Sequence, residues 1–229
     1  MKIAILSDIH CNVFALKNVL EFIESKQVEK YIFLGDYFGY YPWAKETYDL
    51  LMTVKEDSFF LIGNHDKLLI EPKPLNVPEY YHVIEDNKSQ LTYDVLFWLK
   101  QLPLHKEMEF DGIKIRAFHG TPTDILNGRY YPDNKNSYDW FPKKNEVILL
   151  GHTHYPLVNH IENGGVIINP GSIGQPRDGI LSSSFCIFDT LERKVNFFRV
   201  KYDVPLVVSK LEEVNWYPRA INSLKKKKI

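Results

Sequence analysis

The first third of the chain alternates short apolar runs with longer amphipathic stretches. Three of the apolar runs have the length of buried strands, at Lys2–Leu6, Tyr31–Leu34 and Phe59–Ile62. Between the first two, Asn12 can cap a helix whose apolar residues recur on one face, namely Phe14, Leu16, Val19, Leu20 and Ile23. A second helical stretch is predicted near Trp43–Val54. Strand, helix, strand, helix, strand at this spacing predicts a parallel sheet with crossover helices.

The rest of the chain consists mostly of predicted strands. A proline-rich stretch at Glu71–Pro78 precedes an amphipathic helix predicted from about Ser89 to Leu102, and Pro103 ends that helix. Further strands are predicted at 104–110, 113–118, 147–150, 157–161, 166–168, 185–188 and 195–200. No internal repeat or linker divides the chain, so we predict one domain over residues 1–229, of α/β or α+β class with two sheets. Its core would span about 1–203, and a C-terminal helix with a lysine-rich tail would span about 204–229.

Composition and charge narrow the class of protein. A chain of 229 residues that is 45% hydrophobic and 25% charged is typical of a globular protein with one sizeable core. The formal net charge of −1 gives no basic field that would favour nucleic acid. The run Lys225–Lys228 is local, and we interpret it as a solvated tail, with a weak anion-binding arm as the alternative.

Cysteine content and the first residues predict a cytoplasmic location. Cys11 and Cys186 alone cannot build a disulfide framework, which is typical of a reducing compartment. The opening MKIAILSDIH is a predicted strand that carries Asp and His, and it lacks the charged-then-apolar pattern of a signal peptide. No uncharged apolar stretch approaches the ~18 residues that span a bilayer, so no membrane partner is expected.

Chemically reactive side chains follow the predicted strands, at the points where those strands end. They are Asp8, His10, Asp36, Asn64, His65, His119, His152 and His154. Ligand sites in open α/β sheets lie beyond the carboxyl ends of strands, so we expect these residues at one edge of the sheets. A single buried histidine is well explained as a hydrogen-bonded core residue, and we assign His82, His105 and His160 to structure. Five histidines directly after apolar strands are better explained by a shared site.

The composition of this set fits divalent metal ions. Carboxylate and imidazole ligands suit Mn, Fe, Ni, Co or Zn, and the lack of a cysteine ligand set argues against a structural zinc site. Asp36 can bridge two cations through its two oxygens, and the amide oxygen of Asn64 can ligate without adding negative charge. Two metals roughly 3.5–4 Å apart would clamp the attacked and leaving oxygens of a phosphoryl group.

Five short motifs between residues 7 and 154 resemble the signature of the calcineurin-like metallophosphoesterase family. They are SDIH, LGDY, GNHD, FHG and GHTH, in the family's order. The resemblance implies a four-layer αββα sandwich, in which two mixed β-sheets flanked by helices form a metal-rich cleft. NPGSIGQPRDG at 169–179, HGTPTD and WLKQLP resemble the YfcE-like branch of small bacterial and archaeal phosphodiesterases. That branch usually has glycine where this chain has Cys11, and we expect a small side chain to be tolerated there. The alternative is that a thiol beside a metal ligand makes the enzyme sensitive to oxidation.

The resemblance also implies a role for each motif residue. Two sets of metal ligands surround a bridging carboxylate: Asp8, His10 and His154 for one ion, Asn64, His119 and His152 for the other, and Asp36 between them. His65 matches the family's catalytic histidine, which donates a proton or stabilises charge at the leaving oxygen. Asp66 would orient and polarise that imidazole. The implied cofactors are two divalent ions, with manganese preferred over nickel, iron, cobalt or zinc.

The expected activity is hydrolysis of small phosphodiesters or nucleotides, by in-line attack of a metal-bound hydroxide. GDYFGYY lacks the arginine that protein phosphatases of the superfamily carry soon after Gly-Asp, which disfavours that class. A nuclease or a phosphomonoesterase of the same superfamily is the alternative. A scaffold protein that keeps the metal site is a more distant one.

Substrate contacts are less well defined by the sequence. Asn12 and Arg177 are candidates, with a helix cap and a turn salt bridge as the alternatives. Two aromatic sets could stack a base, or serve as packing or a dimer contact, and we favour packing. They are Tyr37, Phe38, Tyr40, Tyr41 and Trp43 after the bridging Asp36, and Tyr130, Tyr131, Tyr138, Trp140 and Phe141 after His119. The sequence leaves homo-oligomer formation open.

Overall fold

The computed structural model describes residues 1–72, 77 and 79–225. This part of the chain forms ten strands: β1 (Lys2–Leu6), β2 (Lys30–Phe33), β3 (Ser58–Phe60), β4 (His105–Phe110), β5 (Ile113–Phe118), β6 (Glu146–Leu149), β7 (Pro156–His160), β8 (Val166–Pro170), β9 (Ser183–Asp189) and β10 (Lys194–Val200). Its α-helices are α1 (Val13–Glu24), α2 (Ala44–Thr53), α3 (Asn64–Ile70), α4 (Tyr80–Ser89), α5 (Tyr93–Gln101), α6 (Val204–Glu213) and α7 (Pro218–Lys225). None of these helices has the length and apolar character needed to cross a bilayer. Residues 73–76 and 78 of the predicted proline-rich stretch, and 226–228 of the lysine run, lie outside the described part.

The strands form two mixed sheets of five strands each, which confirms the predicted pair of sheets. In the first sheet, ordered β10-β9-β1-β2-β3, the strands β1, β2 and β3 run parallel, and β9 is antiparallel to both of its neighbours. In the second sheet, ordered β4-β5-β6-β8-β7, the three central strands are parallel and the two edge strands are antiparallel. In each sheet, several parallel strands therefore end at the same edge.

Both faces of β1 are buried, which explains its unbroken apolar sequence. Ile3 and Ile5 point between the two sheets and belong to the same apolar cluster as Ile115 of the second sheet. Since side chains alternate along a strand, Ala4 and Leu6 point to the opposite face, where the helices pack. Burying a side chain of this kind stabilises the fold by roughly 1.5–3 kcal/mol. The core between the sheets thus fixes their relative position at the edge where the polar residues gather.

The two sheets are covered differently on their outer faces. All of the described helices contribute to one cluster on the first sheet, through residues such as Leu16, Leu51, Leu69, Val83, Leu99, Val207 and Leu224. The outer face of the second sheet is covered instead by a non-helical segment, whose packed aromatic residues are Tyr130, Tyr138, Trp140 and Phe141. In the described part of the chain, the flanking layers are thus helical on the first sheet and non-helical on the second. These four aromatic residues serve as packing.

The helices after β3 differ from the prediction. The helix predicted from about Ser89 to Leu102 is observed as α5, which begins only at Tyr93, and α4, which ends at Ser89, was not predicted. Between them Thr92 is extended, with φ −74° and ψ 166°, so it starts a new helix and does not continue the first. The GNHD sequence is also more than a turn after a strand, since Asn64 is the first residue of α3.

Two phenylalanines on neighbouring strands test the assigned core. We expect Phe185→Ala on β9 to lower the free energy of unfolding by about 3–5 kcal/mol, because removing a fully buried aromatic side chain leaves a cavity. Phe197→Ala on β10 is the matched control, since Phe197 is 37% exposed, and its effect should be well under half as large. Urea denaturation followed by circular dichroism measures both. Equal losses in the two variants would contradict the core described above.

Candidate metal centre

The carboxyl ends of five parallel strands bring the predicted site residues to one edge that the two sheets share. In chain order, the residues are Asp8 and His10 after β1, Asp36 after β2, Asn64 and His65 after β3, His119 after β5, and His152 and His154 after β6. The first sheet therefore supplies the acidic residues, whereas the second sheet supplies only histidines. The site requires both sheets to be packed against each other.

The loops that carry these residues have a backbone conformation that is uncommon outside glycine. Left-handed φ angles between 53° and 63° occur at Asp8, His10, Asp36, His152 and His154. Each costs an L-residue roughly 1–2 kcal/mol, and such strain is concentrated at functional sites. The conformation turns the chain sharply at the strand ends, so that successive polar side chains can converge. A hydropathy pattern carries no signal for it.

The first cluster consists of Asp8, His10 and His154. The Nε2 atom of His154 lies 3.1 Å from Asp8 Oδ1 and 3.2 Å from His10 Nε2. The other ring nitrogens face backbone carbonyls, with His154 Nδ1 2.6 Å from the oxygen of Gln175 and His10 Nδ1 3.2 Å from that of Phe38. Because a carbonyl can only accept, each Nδ1 carries a proton, and the Nε2 atom of each ring faces the cluster.

The second cluster consists of Asp36, Asn64, His119 and His152. His119 Nε2 lies 2.9 Å from Asn64 Oδ1 and 3.3 Å from Asp36 Oδ2, while its Nδ1 faces the Leu34 carbonyl at 2.9 Å. Ligand atoms of Asp36, His119 and His152 lie within 4.8 Å of one another. Asp36 also belongs to the edge of the first cluster, since its Oδ2 is 3.8 Å from His10 Nε2. Its carboxylate therefore lies between the two groups.

Two carboxylate oxygens indicate which kind of ligand this arrangement fits. Asp8 Oδ1 and Asp36 Oδ2 are fully buried and accept no hydrogen bond within the described part of the chain. An unpaired buried carboxylate is costly unless positive charge lies beside it. A divalent cation in each cluster would satisfy both the oxygens and the nitrogens. The residues thus fit the two metal ions that the family resemblance implies.

Burial and mutual charge set the protonation of the clusters. Burial acts to raise the pKa of Asp8, but the neighbouring His154 outweighs it and the pKa lies well below its usual value. In the same way, His119 reverses the effect of burial on Asp36 and lowers the pKa of that carboxyl. Burial lowers the pKa of His152 to about 4. His119 is the exception, since Asp36 outweighs burial and raises its pKa to about 9.

Asp66 does not contact the His65 ring, so the role expected for it is wrong. Its Oδ2 accepts the backbone N–H groups of Asp36 and Gly63 at 2.7 and 2.9 Å. Its Oδ1 accepts those of Tyr37 and Phe38 at 2.8 and 3.1 Å. Both oxygens are therefore committed to the backbone. Asp66 fixes the loop that presents the Asp36 carboxylate, and it positions the site without facing it.

Two glycines let the loops after β2 and β3 approach each other under this clamp. A Cβ atom at Gly63 would lie 2.1 Å from Asp36 Oδ1, and one at Gly35, which has φ +100°, would lie 2.4 Å from the Gly63 nitrogen. Real Cβ atoms do not come so close to other atoms. The glycines of LGDY and GNHD are thus required for contact between the loops.

His65 is held by a residue that the sequence did not indicate. Its Nδ1 lies 2.6 Å from the hydroxyl of Tyr80, the first residue of α4. Its Nε2 lies 4.0 Å from Asp36 Oδ2, so the ring borders the second cluster without being buried in it. Tyr40 packs beside both clusters, with its ring centroid 4.7 Å from that of His10 and 5.2 Å from that of His65. Of the aromatic loop after β2, Tyr40 is thus the residue that reaches the site.

The two predicted substrate contacts have different outcomes. Asn12 is fully buried, its Oδ1 accepts the Ala15 N–H as a helix cap, and its Nδ2 donates to the Gly174 carbonyl. Both ends of the amide are occupied, so a substrate contact is wrong for Asn12. Arg177 is exposed beside Tyr40, with Nη2 3.3 Å from the tyrosine hydroxyl. It is therefore placed where a substrate can reach it.

The Cys11 thiol is not exposed to oxidants. It is fully buried, and its Sγ lies 3.3 Å from Asn87 Oδ1. Burial raises the pKa of the thiol well above its usual value, which disfavours the reactive thiolate. These observations argue against the alternative of oxidation sensitivity.

The chain belongs to the calcineurin-like phosphoesterase superfamily. The sequence model of the calcineurin-like phosphoesterase superfamily domain matches residues 1–193, which confirms the predicted family. All of the residues in the two clusters fall within this match. It ends before β10, so β10, α6 and α7 lie beyond the part that defines the family.

Similar proteins cover nearly the whole chain. The uncharacterized protein MJ0912 of Methanocaldococcus jannaschii is 32% identical, with 91% of each chain aligned. A metallophosphoesterase from Sphaerobacter thermophilus is 28% identical, with a TM-score of 0.77 over 98% of each chain. YfcE, a phosphoesterase from E. coli, is 18% identical, with a TM-score of 0.55 over 88% of this chain and 100% of its own. At that identity the likeness to YfcE is one of fold.

The raised pKa of His119 predicts how metal affinity depends on pH. A histidine that binds a metal ion must be unprotonated, so an ion that binds His119 below its pKa of about 9 displaces one proton. We expect the apparent affinity for Mn²⁺ to rise about tenfold per pH unit between pH 6.5 and 8.5. His152, with a pKa of about 4, is already neutral there and adds no slope. Titration calorimetry in buffers of different ionisation enthalpy measures both the affinity and the released proton.

His119→Asn is the control for this prediction. Asparagine offers an amide oxygen without a titrating proton, so the variant should bind more weakly with a smaller pH slope. An affinity of the unmodified protein that does not change over this range would contradict the protonated state assigned to His119.

Proposed function

We propose that the protein hydrolyses small phosphodiesters or nucleotides with two divalent metal ions. The observation that carries the proposal is the pair of buried oxygens without partners, Asp8 Oδ1 and Asp36 Oδ2, each facing imidazole nitrogens. Membership of the phosphoesterase superfamily supports the reaction class. The proposed ligands are Asp8, His10 and His154 for one ion, Asn64, His119 and His152 for the other, and Asp36 between them. When bound, the ions would lower the pKa of a water molecule and neutralise charge on the phosphoryl oxygens.

His65 is the proposed donor of a hydrogen bond that stabilises the charge developing on the leaving oxygen. Burial lowers the pKa of its imidazole, so the neutral ring is favoured at neutral pH. The Tyr80 hydroxyl accepts the backbone N–H of Tyr40 at 3.3 Å, which directs its own proton to His65 Nδ1. With Nδ1 accepting, the remaining proton of the ring lies on Nε2, on the side of Asp36. Tyr80 is therefore a positioning residue that selects the tautomer able to donate.

Charge favours a small substrate over a nucleic acid. The net charge of −1 provides no basic stripe for a polynucleotide backbone.

We treat α6 and α7 as part of the same single domain, because Val207 and Leu224 join the cluster formed by the other helices.

A metal and substrate panel tests the proposal directly. The protein is treated with EDTA, dialysed, and supplied with manganese, nickel, iron, cobalt or zinc. Hydrolysis of bis-p-nitrophenyl phosphate should return, most strongly with manganese, and it should exceed hydrolysis of p-nitrophenyl phosphate. Single-stranded DNA should not be cleaved, even at low salt. Absence of phosphoester hydrolysis with every ion would refute the proposed function.

Two variants separate hydrogen-bond donation from metal binding. We expect His65→Ala to keep two metal ions per chain and to lose about 100-fold or more in kcat, since a preorganised donor to developing charge contributes about 10²–10³-fold. Asp36→Ala should lose both the metal ions and the activity. Elemental analysis and initial rates measure the two properties. A metal-loaded His65→Ala variant with full activity would exclude the role proposed for the imidazole.

The role of Tyr80 is tested by removing its hydroxyl alone. Tyr80→Phe keeps the ring but removes the donor to His65 Nδ1, so kcat should fall about tenfold. Because that bond favours the neutral imidazole, the limb of the pH–rate profile due to His65 should move to higher pH. Tyr93→Phe, at a position that is 75% exposed, is the matched control and should change neither property. A fall in kcat with an unchanged pH profile would leave Tyr80 with a packing role.

A further inference from the structure

The two C-terminal helices reach the candidate metal centre from outside the family match. The indole Nε1 of Trp216, between α6 and α7, donates to the Tyr40 carbonyl at 2.7 Å. The ring of Tyr217 contacts that of Tyr80, with centroids 5.7 Å apart. Ser223 on α7 lies 3.4 Å from the side chain of Gln175. The end of the chain therefore packs against Tyr40 and Tyr80, the two tyrosines that border His65.

An open cleft of about 460 Å³ lies beside the contact between Ser223 and Gln175. Its lining includes Tyr40, Gln175 and Arg177 from the family segment, and Arg219 and Ser223 from α7. Tyr40 forms a shared wall, since its ring also contacts the rings of His10 and His65. A molecule that extends from the candidate metal centre past Tyr40 would enter this cleft.

The cleft holds two guanidinium groups without a carboxylate partner. Arg116 and Arg199 lie within ion-pair distance of Glu146 and Asp178, whereas Arg177 and Arg219 have no such partner in the described part of the chain. Arg177 instead lies 3.3 Å from the Tyr40 hydroxyl and 3.4 Å from Gln175 Oε1. Burial raises the pKa of the Tyr40 hydroxyl. The charges of Arg177 and Arg219 act in the opposite direction, which places both charges near that hydroxyl.

We infer that Arg177 and Arg219 form a subsite for a second phosphate group of the substrate, beside the phosphate held at the metal centre. This inference rests on the proposed function. A guanidinium group presents a planar set of donors that matches phosphate oxygens, and an exposed pair without carboxylates has that capacity free. The favoured substrates are therefore nucleotides and other phosphoesters with a further phosphate next to the scissile one, as in polyphosphate chains. Simple diesters with one phosphate would not use the subsite.

The test compares two substrates in the full-length protein. Diadenosine tetraphosphate carries further phosphates, whereas bis-p-nitrophenyl phosphate does not. We expect Arg219→Gln and Arg177→Gln each to lower the ratio of kcat/KM for the first substrate to that for the second by about tenfold. Lys210→Gln removes one positive charge from exposed α6 and is the matched control, and it should leave the ratio unchanged. An unchanged ratio in Arg219→Gln would overturn the inference.

A binding measurement separates this inference from the proposed function. Tripolyphosphate is titrated by calorimetry into the metal-free protein, where no activity is involved. The dissociation constant should rise about tenfold in Arg219→Gln and stay the same in Lys210→Gln. If no phosphoester is hydrolysed but this difference is found, the subsite stands and the proposed function fails. If hydrolysis is found and Arg219→Gln binds tripolyphosphate as well as the unmodified protein, the subsite is refuted.

Discussion

The rest of the structure depends on one constraint, the burial of two carboxylate oxygens, on Asp8 and Asp36, that have no hydrogen-bond partner among the described residues. Removing such a charge from water costs several kcal/mol unless a partner is present. The first sheet supplies both carboxylates, and the second sheet supplies the histidines beside them. The Nε2 atom of His119 lies 3.3 Å from Asp36, and that of His154 lies 3.1 Å from Asp8. The packing of the two sheets and the assembly of the clusters are therefore inseparable.

A second level of structure holds the loops against this electrostatic cost. Asp66 accepts four backbone N–H groups, which ties the first turn of α3 to the loop after β2. Gly35 and Gly63 allow that approach, since a side chain on either would collide with the opposite loop. The same restraint offsets the conformational cost of the left-handed residues at the strand ends. Asp66, which binds only backbone groups, thus determines where the Asp36 carboxylate is placed.

The sequence predicted the two sheets and the edge where the polar residues meet, because both depend on local patterns. An apolar run followed by Asp or His marks a strand and its end, and parallel strands end together. Contacts between distant segments left no such pattern. Tyr80 reaches His65 only through the packing of α4, which was not predicted, and the four amides that bind Asp66 lie on loops brought together by folding. Asn12 was ambiguous because a helix cap and a substrate contact require the same amide.

The bond from Trp216 to the Tyr40 carbonyl has a consequence for biosynthesis. Every residue of the two clusters, up to His154, leaves the ribosome before Trp216 does. Proteins begin to fold from the N-terminal side during synthesis. The clusters can therefore assemble on a nascent chain before the wall that α7 adds to the neighbouring cleft is complete. A chain that ended before α7 would retain every residue of the two clusters and lose Arg219 and Ser223 from the lining of that cleft.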